Sequence, residues 1–258
     1  MLAQSISSFL PRLGMTITGL ALATACTTAS ATAIPLPVLN GGFEHVSSST
    51  STEFGTGPGG PYATVDNWTT SGYNFIFKPG TADTTGSFGQ YGTLTLWGPA
   101  NGSANGLPAS SPLGGNYVAA DGAYEVQSID QVINGLVIGQ QYSLGFYYAG
   151  AQQHGYTGAT TEQWVVSLGS ETYSTPVLQN LDHGFTGWRH QDVTFTATSA
   201  QETLSFLAVG TPDGEPPFSL LDGVGMATTP EPGSFALLLT GAVAVGGLVR
   251  RRSLKGAV

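Results

Sequence analysis

Fifteen of the chain's sixteen acidic side chains fall between residues 34 and 228, where the only basic side chains are Lys78 and Arg189. Carboxylates at that density keep a surface solvated and attract divalent cations. They argue against a nucleic-acid partner, because phosphate contacts need a basic surface. Two carboxylates at the right separation can hydrolyse a glycosidic bond, but no spacing here singles out a pair. The four histidines, His45, His154, His183 and His190, are not spaced as zinc ligands. There is no nucleophile elbow and no His-Glu-x-x-His. Gly55-Thr56-Gly57-Pro58-Gly59-Gly60 is glycine-rich but lacks the strand-to-helix setting and the nearby lysine of a phosphate loop. No catalytic residue is assigned, and the expectation is a non-enzyme.

The elements that would carry any site read as strands. Glycine, serine and threonine abound, and no long stretch has a helical period. In Gln141–Tyr148, residues Tyr142, Leu144, Phe146 and Tyr148 share one face. Val193 and Phe195 alternate with polar neighbours in Asp192–Thr196. Glu202–Val209 begins as an alternation and ends as an expected buried run. Trp164–Leu168 and Thr93–Trp97 are further strands. Turns are expected at Asn134-Gly135, Ile138-Gly139, Leu168-Gly169 and Asp213-Gly214. Ser47–Thr52 and Thr56–Pro61 read as one polar loop that contains Glu53 and stays out of the core, and Gly98–Gly115 as a second loop. The fold class is all-β, a two-sheet sandwich of about 195 residues, which is enough chain for a core without staples.

Both ends read as export signals. Arg12 precedes the apolar stretch Leu13–Ala25, and Ala29-Ser30-Ala31 and Ala31-Thr32-Ala33 both fit signal peptidase, giving a signal peptide over 1–33. Cys26, the only cysteine, leaves with that leader, so no disulfide is expected. The alternative is lipidation at Cys26 within Ala23-Thr24-Ala25-Cys26. At the other end, residues 229–258 hold Pro230-Glu231-Pro232, the uncharged run 233–249, then Arg250, Arg251 and Arg252. That run spans roughly 26 Å as a transmembrane helix, and the arginines would lie on the cytoplasmic side.

Motif, short span and basic end together resemble the PEP-CTERM sorting signal of exported bacterial proteins. The resemblance implies recognition and cleavage by an exosortase, transient membrane insertion, and delivery to the cell surface or extracellular matrix. An uncleaved membrane anchor is the rival reading.

Residues 34–228 carry a second resemblance. Val38–Glu44 resembles the first strand of galactose-binding-like jelly rolls, which include many carbohydrate-binding modules. Asp66-Asn67-Trp68 resembles their turn and tryptophan, and Gly115–Gly122 their middle strand. Gln131–Leu136 and Gly139–Phe146 resemble two strands paired across a short turn, and Pro217–Val224 the last strand. The resemblance implies a jelly-roll β-sandwich with a structural calcium (Ca2+) held by Glu44 and Asp222, chemistry that suits a hard cation; the bland alternative is two surface carboxylates. It also implies sugar stacking on exposed aromatics. Phe54, Tyr62, Tyr91, Trp97, Tyr156 and Trp188 stand in loop-like context, and packing is the stronger reading for Trp97 and Trp188. The glycan-binding set is Tyr62, Tyr156 and Trp97. Two functional classes stay open: a module that binds exopolysaccharide, and a purely structural matrix protein. A glycan-active enzyme is a third, weaker one.

Overall fold

Strands build the domain in the computed structural model, which describes residues 35–36, 38–57, 59–60 and 62–229. The leader before residue 34, the motif Pro230-Glu231-Pro232, the span 233–249 and Arg250, Arg251 and Arg252 lie outside the described residues. Among the described residues the elements are all strands: β1 (Pro35–Leu36), β2 (Thr52–Glu53), β3 (Asn74–Phe77), β4 (Ser87–Gly89), β5 (Gly92–Leu94), β6 (Tyr117–Asp121), β7 (Ile129–Asn134), β8 (Gln141–Gln152), β9 (Thr160–Leu168), β10 (Glu171–Ser174), β11 (Leu178–Asn180), β12 (Arg189–Thr196), β13 (Gln201–Thr211) and β14 (Pro217–Thr228).

They form two sheets. The first runs β12-β8-β14-β6-β3-β2-β4-β5, with β1 also paired to β14; the second runs β10-β9-β13-β7, with β11 also on β9. From β6 onward the chain alternates between them: β6, β8, β12 and β14 lie in the first sheet, and β7, β9 and β13 in the second. That alternation is jelly-roll winding. The ends of the domain meet, since Pro35 and Leu36 pair with Ala227 and Met226.

The core lies between the sheets. Tyr142, Leu144, Phe146 and Tyr148 from β8 meet Trp164 and Val166 from β9 and Leu204 and Phe206 from β13. A second apolar cluster covers the other face of the first sheet. There Phe75, Phe77, Tyr117, Ala119 and Leu220 pack under Ala82, Leu94, Leu96 and Leu107. This double covering explains why β3 and β6 are buried at every position. It also means that the outer face of that sheet is covered over β3 and β6, while alternate residues of β12 stay exposed.

Several expectations are corrected. Val38–Glu44 is not a strand but a turn, and the opening strand is β1. Asn40 takes a left-handed backbone, φ 51°, which asparagine tolerates. Its Nδ2 donates to the carbonyls of His45 and Asp66, and its Oδ1 accepts from the His45 amide. Phe43 and Trp68, with ring centroids 5.2 Å apart, dock that turn on the core.

The strands β7 and β8 do not pair with each other: β7 pairs with β13, and β8 with β12 and β14. The short turn between them crosses from one sheet to the other. Strand β13 alternates to its end, with Val209 exposed, so its last residues are not a buried run. The polar loop 47–61 is not wholly outside the core either. Glu53 sits in β2 with no solvent exposure, and Phe54 beside it is equally buried.

Candidate functional site

Four tyrosines from separate parts of the sequence meet at one end of the sandwich. Tyr73, just before β3, is almost buried and forms the inner part of the cluster. Its ring stands edge-on to Phe75 at 4.6 Å and to Tyr124 at 5.6 Å, and tilts toward Tyr91 at 5.9 Å. Tyr91 projects from the tight β4–β5 turn, where Gly92 has φ 97°. Tyr124 follows β6. Both are exposed, and their hydroxyls share a 2.6 Å hydrogen bond. Tyr156, from the β8–β9 loop, is also exposed.

Together with Asp121, Ala123, Gln153, Asp213, Gly214 and Pro216 these rings line a cleft of about 250 Å3. Backbone bonds fix its frame: the Tyr73 amide donates to the Glu125 carbonyl, and the Asp121 amide to the Tyr73 carbonyl, at 3.1 Å each. The Thr157 amide donates to Glu215 Oε2 at 3.1 Å, tying the β8–β9 loop to the β13–β14 loop.

Asp121 is 3 % exposed. Its Oδ1 accepts from the amides of Ala123 at 2.8 Å and Tyr124 at 3.0 Å, while Oδ2 has no partner. Burial pushes its carboxyl up to about 6; the two amides oppose that rise, and the charge of Asp213 adds to it. Behind the Tyr91–Tyr124 wall lies a further acidic group. Glu53 Oε2 accepts from the Gln90 amide at 2.8 Å, and Gln90 Nε2 donates to Glu125 Oε2 at 2.7 Å. Burial, with a smaller contribution from Glu125, pushes Glu53 up to about 7 against the Gln90 bond.

The site residues proposed from the sequence are divided by the structure. Tyr156 and Tyr91 line the cleft. Tyr62 does not, but stands near its acidic side: burial, then the charges of Glu53 and Glu125, raise its hydroxyl. Trp97 does not line the cleft either. Its indole stacks on His183 at 3.8 Å with His154 at 4.2 Å, and its Nε1 donates to the Tyr156 carbonyl at 2.8 Å. It therefore positions Tyr156 rather than presenting a free face. Phe54 belongs to the core, and Trp188 packs edge-on against Tyr117.

Sequence reasoning missed Tyr73, Tyr124, Asp121, Gln153 and Asp213 as cleft residues. Asp213-Gly214 was legible as a turn, and Asp121 as the end of a strand. Their convergence was not.

Glu44 and Asp222 lie on either side of Gly42: a Cβ there would stand 3.8 Å from Asp222 Oδ1 and 3.9 Å from Glu44 Cγ. Glu44 is exposed, and its Oε1 accepts from the Asn116 amide at 2.8 Å. Asp222 is buried; its Oδ2 accepts from the Ser111 hydroxyl, and its Oδ1 has no partner. Burial pushes Asp222 up to about 6. Hydrogen bonds from Ser111 and Gly223 oppose this, and the Glu44 charge adds to it. An orphaned carboxylate oxygen beside a second carboxylate fits a hard cation. Among the described residues no group of three or more His, Cys, Asp or Glu side chains has metal-binding geometry. Backbone oxygens or water would have to complete the shell.

No protein-family profile and no curated protein matches the chain. Solved structures do show likenesses. TmCBM61 in complex with β-1,4-galactotriose is 16% identical over 62% of this chain and 88% of its own, with a TM-score of 0.33. A CBM4 structure is 13% identical over 75% of this chain and 100% of its own, at 0.30. The K3 adhesin domain of Lys-gingipain from Porphyromonas gingivalis is 13% identical over 62% and 91%, at 0.34.

Proposed function

We propose that residues 34–228 form an exported, non-catalytic module that binds a glycan, such as an exopolysaccharide, in the tyrosine cleft. The observation that carries this reading is the convergence of Tyr73, Tyr91, Tyr124 and Tyr156 around one concave site that also holds Asp121, Gln153 and Asp213. Aromatic faces pack the apolar edges of a sugar ring, while carboxylate, amide and phenol groups take its hydroxyls. The rings are held by one another and by backbone bonds, so little ordering is left for the moment of binding.

Export rests on the termini. Signal peptidase would remove 1–33, and an exosortase would act on 229–258 at Pro230-Glu231-Pro232 after the span 233–249 enters the membrane. The protein would then reside at the cell surface or in the extracellular matrix. Calcium, where bound, would be held by Glu44 and Asp222, and it would supply positive charge between the β14 strand and the turn that follows β1. Asp222 Oδ1 without a partner supports that placement.

A glycan array read by titration calorimetry tests the binding reading. Saturable binding lost on Tyr156→Ala supports it. No binding to any glycan leaves the purely structural reading, and release of reducing ends would favour the enzymatic one.

A further inference from the structure

We propose that the tyrosine cleft selects a cationic glycan, one carrying protonated amino groups, over neutral and anionic glycans. The proposal rests on the glycan reading of the cleft and narrows it to a chemical class.

The cleft is a built site with an unmet need. Asp121 is 3 % exposed in its wall, and one of its oxygens has no partner. A buried polar atom left unpaired costs free energy, and an unpaired buried charge costs more. Asp213 lines the same cleft, and its charge reaches Asp121. Burial raises the Tyr73 hydroxyl on the floor, and the charges of Glu53 and Asp121, then Tyr91 and Tyr156, add to it. Glu125, next to Tyr124, adds a further carboxylate behind the wall. Among the described residues, no lysine, arginine or histidine lines the cleft.

This arrangement sorts ligands by charge. A uronate or sulfated sugar would bring a negative group toward Asp121 and Asp213 and be repelled. A neutral sugar could give a hydroxyl to one carboxylate, but it would leave the negative field uncompensated. An ammonium meets both needs: it donates to a carboxylate and offsets the charge. The same ammonium is also attracted to the faces of the tyrosine rings.

The test uses the full chain in a non-glycosidic detergent at about pH 6.5, below the ~7.7 of an α-amino group, where a substantial share of the sugar amines carries protons. Four tetrasaccharides are titrated by calorimetry: the glucosamine tetramer, its fully N-acetylated form, cellotetraose and the galacturonate tetramer. The expected result is glucosamine binding about tenfold tighter than the acetylated form, with no detectable galacturonate binding. Raising salt should shrink the preference. Asp121→Asn keeps the Oδ1 acceptor for Ala123 and Tyr124, and Asp213→Asn lies in an exposed loop. Each should lower the glucosamine affinity more than the acetylated affinity, so that the two come close together. Equal or tighter binding of the acetylated or neutral tetramer by the unmodified protein would overturn the charge selection and leave the glycan reading standing. Failure of all four to bind would overturn both.

Discussion

Tyr91 and Tyr124, thirty-three residues apart, are joined by a 2.6 Å hydrogen bond between their hydroxyls. Tyr91 comes from the hairpin turn at one edge of the first sheet and Tyr124 from the loop that leaves its middle. The bond closes one wall of the cleft, with ring centroids 6.0 Å apart. Two exposed aromatics are thereby fixed before a ligand arrives, which is what a rigid stacking surface requires.

Breaking that bond should weaken binding without unfolding the domain. Tyr124→Phe keeps the ring and loses one neutral hydrogen bond, about 1 kcal/mol or a fivefold loss of glycan affinity. Tyr156→Ala removes an exposed stacking ring and should cost about tenfold. Melting temperature should change little in either variant. A large drop in melting temperature with unchanged affinity would make these rings structural.

The domain should be more stable in mild acid than at alkaline pH. Burial raises Asp121 and Asp222 from 3.8 to about 6, Glu53 from 4.5 to about 7 and Glu162 from 4.5 to about 8. Between the ordinary and the raised value the folded state binds more protons than the unfolded chain. Stability is therefore present below the ordinary carboxylate range and is lost as pH rises through the folded values, across about pH 4 to 8. Without added metal, the melting temperature at pH 5 should exceed that at pH 8 by roughly 5 °C. Glu162→Gln keeps an acceptor for Thr160 and Asn180 and should raise the pH 8 value and flatten the profile. A melting temperature that climbs from pH 5 to pH 8 contradicts this.

Calcium should act in the opposite direction at Asp222, because an ion there favours the ionised carboxylate. At a hundredfold excess over its dissociation constant it would add about 2.7 kcal/mol. A chelator should then lower the melting temperature by several degrees, and Asp222→Asn should abolish that response. As a control, Glu171→Gln keeps an acceptor for the Thr196 amide and should leave the response intact. Identical melting curves with chelator and with calcium would reduce Glu44 and Asp222 to an unmetallated pair.

The tail should be removed in the native host. Mass spectrometry of the surface fraction should find a C-terminus near Pro232, and an N-terminus after Ala31 or Ala33. Mature chains ending at Val258 would instead indicate a permanent anchor. Replacing Arg250, Arg251 and Arg252 with glutamate should impair the orientation of the span.

The sequence by itself determined several of the longer strands, among them β8, β9, β12 and β13. Period-two alternation named the buried faces of β8 and β12, and the glycine turns at 135, 139, 169 and 214 all take positive φ. These features were legible because each depends on neighbours in the chain. What sequence could not decide was anything set by residues far apart. It gave no sign that β7 would leave β8 for the other sheet, since either arrangement buries the same alternating face. It placed Glu53 in a polar loop, because its burial comes from the pairing of β2 with β3 and from Gln90, thirty-seven residues away. It kept Trp97 beside Tyr156 in the glycan-binding set, although a tertiary contact makes one the support of the other. The cleft itself belongs wholly to this second kind, because concavity and shared charge arise only when loops from separate strands are brought to the same end of the sandwich.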